Sequence, residues 1–387
     1  MFFVYFGIPL VVASLFQSIL ASLLPLVGFF VAFRFLKLSV KISGAVGALI
    51  AIEPVLNFYG VTLMPDVFFS VGLLSGIFCF YYWLHTPKIA AMIYGGIFIG
   101  ITNYFRPAGL YLTLLLVGGA LIIFLFSHAL SKEKVLHLAL FVLIPIIIMA
   151  PWCIRNYIQV NHYGFVSALP YNTYTYTAAS AEAASRGIDF ETARKEFVVS
   201  TLANAPDPSN PKSFANSSFY LENTIATIQR HPQAYIHTYL LGLNTFWFSG
   251  NYHYVLARYG LIDFPKYIPS FSMLLAGGGP GAVFTALKDL GSQPYLYIAI
   301  AGKVFWLMIF FGALLGAITT RNRPAGILFI LLVVYFSITI LPMTIGVEAR
   351  HRYPMNPLLF AFFAAGVMYA LELFTSKKAV CKCSPRQ

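Results

Sequence analysis

The chain is poor in charge, in acidic residues above all, and in cysteine. Charged residues make up 10% of its 387 positions, and 13 acids stand against 25 lysines and arginines. That composition excludes an ordinary soluble domain and a charge-rich disordered segment. The four cysteines are Cys79 inside an apolar run, Cys153 at the end of another, and Cys381 with Cys383 in the tail. They offer no paired framework, which excludes a disulfide scaffold and a thiolate zinc site. His162, His231, His237 and His253 are scattered, without HExxH or any comparable ligand spacing, so no metal site is expected. No cofactor is required, and a divalent cation has no ligand set to support it. The glycines of AGGGPG (276–281) precede no GK[ST] and read as a loop, and no Ser/His/Asp order argues for hydrolysis. Asn216-Ser217-Ser218 fits a glycosylation sequon, a pattern too common to carry weight.

What the chain has in abundance is apolar surface: 59% hydrophobic residues, 37 phenylalanines and a mean hydropathy of +0.77. Apolar runs fall at 16–36, 43–59, 67–84, 89–105, 107–127, 135–152, 297–318, 324–344 and 355–374. Segments of about 18 or more apolar residues read as membrane-spanning helices, because a helix satisfies its own backbone hydrogen bonds in hydrocarbon. The fold class expected is therefore an all-α polytopic membrane protein. Between 153 and 296 the composition shifts to Asn, Ser, Pro, Asp and Glu, with turn chemistry in ANAPDPSNP. This predicts three parts: transmembrane helices over 1–152, a mostly α-helical insert over 153–296, and transmembrane helices with a tail over 297–387. Within the insert, helical patterns cover 179–203 and 218–247, with a Glu191/Lys195 pair at i,i+4 and an apolar Phe190/Phe197 face.

If each run crosses once, Arg34, Lys37, Lys41, Lys88, Lys132, Lys134, Arg321, Arg323 and the tail cations Lys377, Lys378, Lys382 and Arg386 share one side. The short loops opposite hold Arg106, Arg350 and Arg352. The positive-inside rule places the larger group, and the C-terminus, in the cytoplasm, which explains the +12 net charge without nucleic acid. The insert then lies outside the cytoplasm. The same outer face receives Asp66, Arg106, Arg155, Glu348, Arg350, His351, Arg352 and Tyr353, and Glu53 lies inside its apolar run toward that end. Each has a structural reading of its own: an interface anchor for Arg106, a belt partner of Trp152 for Arg155, a self-neutralising cluster for the Glu348 loop. Convergence of arginines from several helix ends favours an anion between them, and guanidinium suits bidentate phosphate binding.

These residues lie in AIEPVLNFYGVTLMPDVFF (51–69), GGIFIGITNYFRPAGLYL (95–112), APWCIRNYIQVNHYGFV (150–166), HPQAY (231–235) and EARHRYPMNP (348–357). In that order the motifs resemble the membrane-integral GT-C glycosyltransferases that use polyprenyl-phosphate sugars, the protein O-mannosyltransferases and aminoarabinose transferases. The resemblance implies a GT-C-like helical bundle in a bacterial plasma membrane. It also implies transfer of one sugar, with inversion, from a polyprenyl-phosphate donor to a lipid, glycan or protein acceptor at the extracytoplasmic face. It matches Arg106 to the basic residue that meets the donor phosphate, joined by Arg155, Arg350 and Arg352. Asp66 is matched to an acidic outer-loop position, and Glu348 to Tyr353 to the carboxyl-terminal outer loop. The family's general base lies in a first outer loop with no counterpart here, since MFFVYFGIPL offers no carboxylate. Either the true start is upstream, or the gene has been shortened, or another acid such as Asp66 or Glu53 takes the task, and the 387-residue chain is expected to be weakly active or inactive. Two alternatives are a non-catalytic accessory subunit that binds lipid phosphate and a polyprenyl-phosphate carrier or flippase. The latter would show two related halves with interrupted helices, and none is evident.

Overall fold

The structure, a computed structural model, describes residue 7 and residues 9–262, 279–285, 288, 294–320 and 322–382; the first half of AGGGPG (276–278) and Cys383 lie outside them. The described residues are helices and connectors, with no strand among them. Six helices are long and apolar enough to cross a membrane: Leu10–Phe35, Asp66–His85, Pro107–Leu125, Lys132–Val160, Tyr297–Thr319 and Ala349–Thr375. The chain is an all-α, multi-pass integral membrane protein. Two further runs form shorter apolar helices, Ile89–Thr102 and Arg323–Thr339. At 1.5 Å per residue the first is about 21 Å long, less than the hydrocarbon thickness of about 30 Å.

The run at 43–59 is not one straight helix. It breaks into Val40–Ile52 and Pro54–Val61, bent by 56°. Pro54 is the cause: its ring disfavours the helical region for the residue before it, and Glu53 is extended (φ −66°, ψ 118°). Glu53 therefore sits at a helix break and not, as its surroundings in sequence imply, within a continuous span.

The chain divides into two compact units. The first comprises Met1–Pro145, Phe305–Val334 and Arg352–Gln387. Asp66–His85 is its most enclosed span, 56% buried over its most apolar window, whereas Leu10–Phe35 is 17% buried. An equally apolar helix left that open is satisfied by lipid, not by protein. Asp66–His85 returns through Ile89–Thr102 as a close hairpin. A Cβ on Gly76 would lie 3.2 Å from the Gly95 carbonyl oxygen. Tyr297–Thr319 and the C-terminal span meet as closely: a Cβ on Gly316 would overlap the Phe362 carbonyl oxygen and stand 2.8 Å from the Gly366 nitrogen. Small residues permit this approach, and dispersion and weak backbone contacts stabilise it where no hydrophobic effect acts.

The second unit comprises Ile146–Val304 and Tyr335–His351. Its helices Ala179–Arg186, Phe190–Asn204, Ser217–Arg230 and Pro232–Phe248 match the two helical patterns read in the sequence. Phe190 is buried with Ala179, Ala183, Ala193, Leu241 and Ile345, and Phe197 packs against the same cluster. The ion pairs of Phe190–Asn204 are Glu191 with Arg194 and Glu196 with Arg186, in place of the expected Glu191–Lys195. The sequon asparagine, Asn216, is fully buried, and its amide bonds to the Asp207 nitrogen and to the carbonyls of Asp207 and Asn210.

Candidate functional site

In the first unit the site grows from the Asp66–His85 hairpin. Asp66 follows Pro65 and opens the helix, where the macrodipole favours an anion. Ile89–Thr102 descends antiparallel to it, and a few residues later Arg106 is extended (φ −149°) because Pro107 follows. The hairpin thus returns Arg106 to the start of the first helix, where its Nη1 donates to Asp66 Oδ1. The carboxylate is nearly sealed, at 3% side-chain exposure, and the guanidinium less so, at 17%. Asn103 beside them is buried, and neither of its amide atoms is hydrogen-bonded among the described residues. A Cβ on Gly109, in the same turn, would stand 2.8 Å from Asn103 Oδ1.

Two more predicted residues join this region. Glu53 is buried, and its Oε2 accepts a hydrogen bond from the Leu56 nitrogen at 2.6 Å, the role of a helix cap. The Tyr353 hydroxyl donates to the Leu56 carbonyl at 3.1 Å and lies within electrostatic reach of both Asp66 and Glu53. The structure therefore gathers Asp66, Arg106, Glu53 and Tyr353 at one end of the first unit. Arg352 is also buried, but its guanidinium lies 3.7 Å from the centre of the Trp306 ring and its Nε donates to Asn356 Oδ1 at 3.1 Å. Cation–π contact and hydrogen bond together fix its planar head.

The remaining predicted residues belong to the second unit. Arg155 donates to Asn156 Oδ1 at 3.0 Å and stacks 4.8 Å from the Trp152 ring centre. Both neighbours grip the loop beyond the helix: Trp152 Nε1 donates to the Phe165 carbonyl and the Asn156 amide to that of Gly164. PW-x-IRN is thus a helix end tied to its own connector. Arg350 pairs with Glu348 at 3.0 Å, with 30% and 47% of the side chains exposed. An open pair of this kind contributes little.

Three contributors escaped the sequence reading. Gln17, fully buried, donates through Nε2 to the carbonyls of Tyr59, Gly60 and Thr62 and accepts from the Met64 nitrogen. It holds the connector that delivers Asp66. A lone amide within LVVASLFQSILA was the available signal, since polar groups at membrane depth are costly without partners. Asn103 and Trp306 gave no such signal.

Chemically, the cluster offers an ion pair at the edge of an apolar helix. Asp66 engages one N–H of a guanidinium that carries five in a planar fork, a geometry matched to phosphate oxygens. No group of three or more His, Cys, Asp or Glu residues that could hold a metal occurs among the described residues. Comparison with protein-family models, with curated proteins and with solved structures finds no match.

Proposed function

We propose that the chain is a polyprenyl-phosphate-sugar glycosyltransferase whose donor phosphate is met by Arg106, at the membrane face opposite the connectors rich in lysine and arginine. The observation that carries this reading is the Asp66–Arg106 pair, which stands an anion-binding group beside a carboxylate at one helix end. On donor arrival Arg106 exchanges Asp66 for the phosphate. The released carboxylate accepts the proton of the acceptor hydroxyl. The hydroxyl oxygen attacks the anomeric carbon from the face opposite the phosphate. The bond from that carbon to the phosphate oxygen breaks, with inversion, and the guanidinium stabilises the charge gathering on the leaving polyprenyl phosphate. Glu53, committed to capping Leu56, supports the bend, and Tyr353 ties the C-terminal span to the same turn through the Leu56 carbonyl.

The motif series NYFRPAG and RHRYPMNP supports the same reading by its resemblance to the GT-C enzymes. A second reading, a lipid-phosphate binder without turnover, draws on one observation: both buried carboxylates, Asp66 and Glu53, already hold partners. Binding of a radiolabelled polyprenyl phosphate to the purified protein tests the shared premise. Arg106→Ala is expected to weaken it at least tenfold and Lys88→Ala to leave it unchanged. Equal effects overturn the assignment. Sugar transfer lost in Asp66→Asn, with donor binding kept, then separates the enzyme from the binder.

A further inference from the structure

Asp66 and His85 are the two ends of one 20-residue helix, about 30 Å apart at 1.5 Å per residue. At the His85 end the first unit contains a groove of about 630 Å³. Its walls are apolar and aromatic, with Leu26, Phe30, Phe78 and Tyr82 among them, and its charged members are Arg34 and Lys37. None of its lining residues is acidic. Along one wall Leu23, Leu26 and Phe30 are exposed at 39%, 58% and 58%, in a span that faces lipid.

The local backbone departs from regular helix to form this groove. Val31–Phe35 is a π-helical turn, which adds a residue to the turn and displaces the chain beyond it. Lys37 then takes a left-handed conformation (φ 59°), uncommon for a residue with a Cβ. A distant side chain holds this irregularity in place: Asn322 Nδ2 donates to the Phe35 carbonyl at 2.9 Å and also to the Tyr81 hydroxyl.

We propose that this groove binds an anionic glycerophospholipid of the bilayer. Arg34 and Lys37 hold the headgroup phosphate, and Phe30, Tyr82 and the exposed leucines hold the first segments of the acyl chains. A cationic rim above an apolar, laterally open wall complements a molecule that carries charge at one end and hydrocarbon at the other, and basic pockets between transmembrane helices bind anionic headgroups in this way. A soluble anion would leave the aromatic wall unused; a zwitterionic lipid would set its own ammonium against a rim with no carboxylate. The site is separate from Arg106 and independent of the glycosyltransferase reading.

The test is native mass spectrometry of the full chain, delipidated in detergent and offered phosphatidylglycerol or phosphatidylcholine in equal amounts. One phosphatidylglycerol is expected to be retained at least fivefold more than phosphatidylcholine. Arg34→Ala/Lys37→Ala should lower that retention about tenfold, and Lys132→Ala/Lys134→Ala, outside the groove, should not. Undiminished retention in the groove variant, equal retention of the two lipids, or displacement of phosphatidylglycerol by millimolar inorganic phosphate overturns the proposal. Should the groove variant fail to fold, the wild-type protein decides. Its unfolding temperature is expected to rise saturably with phosphatidylglycerol and not with phosphatidylcholine. An equal rise refutes the site.

Discussion

Substituting Asp66 by asparagine removes a charge while keeping an oxygen within reach of Arg106, so it isolates the ionic part of the pair. Breaking a buried ion pair from one side costs about 3–5 kcal/mol, because the surviving charge stays desolvated. Asp66 is 3% exposed and therefore qualifies, but Arg106 at 17% keeps a route to the interface, which puts the expected loss at about 3 kcal/mol. Arg106→Gln leaves the better-sealed carboxylate stranded and should cost at least as much. The double variant pairs two neutral amides and should cost less than either single change, giving a coupling of at least about 3 kcal/mol, roughly a hundredfold or more in an equilibrium constant. Equilibrium unfolding in mixed detergent micelles, run on the wild type and all three variants, measures that coupling. If the single effects add to within about 0.5 kcal/mol, the two side chains are independent and the pair at the heart of the site is not there. The same asparagine variant should bind polyprenyl phosphate more tightly than wild type, since the competing carboxylate charge is gone.

Packing and titration give two further expected outcomes. Gly316→Ala places a methyl group on the backbone of the C-terminal span and should destabilise the protein by about 1–3 kcal/mol, whereas Gly118→Ala meets nothing within 4 Å and should be neutral or stabilising by about 0.5–1 kcal/mol; thermal unfolding in micelles compares them. His253, in Tyr252–Arg258, has its pKa lowered from 6.5 by burial. The unfolded chain therefore takes up a proton before the folded one does. Stability is full above the unfolded value and falls as pH drops through it toward the folded one, and His253→Gln should flatten that acid-side fall of a melting-temperature profile.

The spans were legible because hydropathy reports the transfer of a whole segment, a sum over many side chains. Even the break at Glu53 was written in the chain, since the residue before a proline resists helical geometry; the apolar character on both sides concealed it. The pairing of Asp66 with Arg106 was half legible: the motifs marked both residues and put them at one face, but only the hairpin's two lengths, 20 and 14 residues, bring them into contact. Arg352 shows what sequence withholds. Its neighbours along the chain, Glu348 and Arg350, suggest a charge cluster, whereas its partner is the distant indole of Trp306. Arg34 and Lys37 read as ordinary topogenic cations, and their groove depends on a π-helical turn and on Asn322, neither of which has a periodic signature.

Gln17 has one more implication. Because its amide clasps four backbone groups of the stretch before Asp66, that stretch is rigid even where it leaves regular helix. The loss of chain freedom needed to aim the carboxylate is incurred when the protein folds, not when a ligand arrives. On the proposed reading, a neutral residue far upstream of the acid thereby sets how well prepared that acid is, and a change there would impair function while leaving every ionisable group intact.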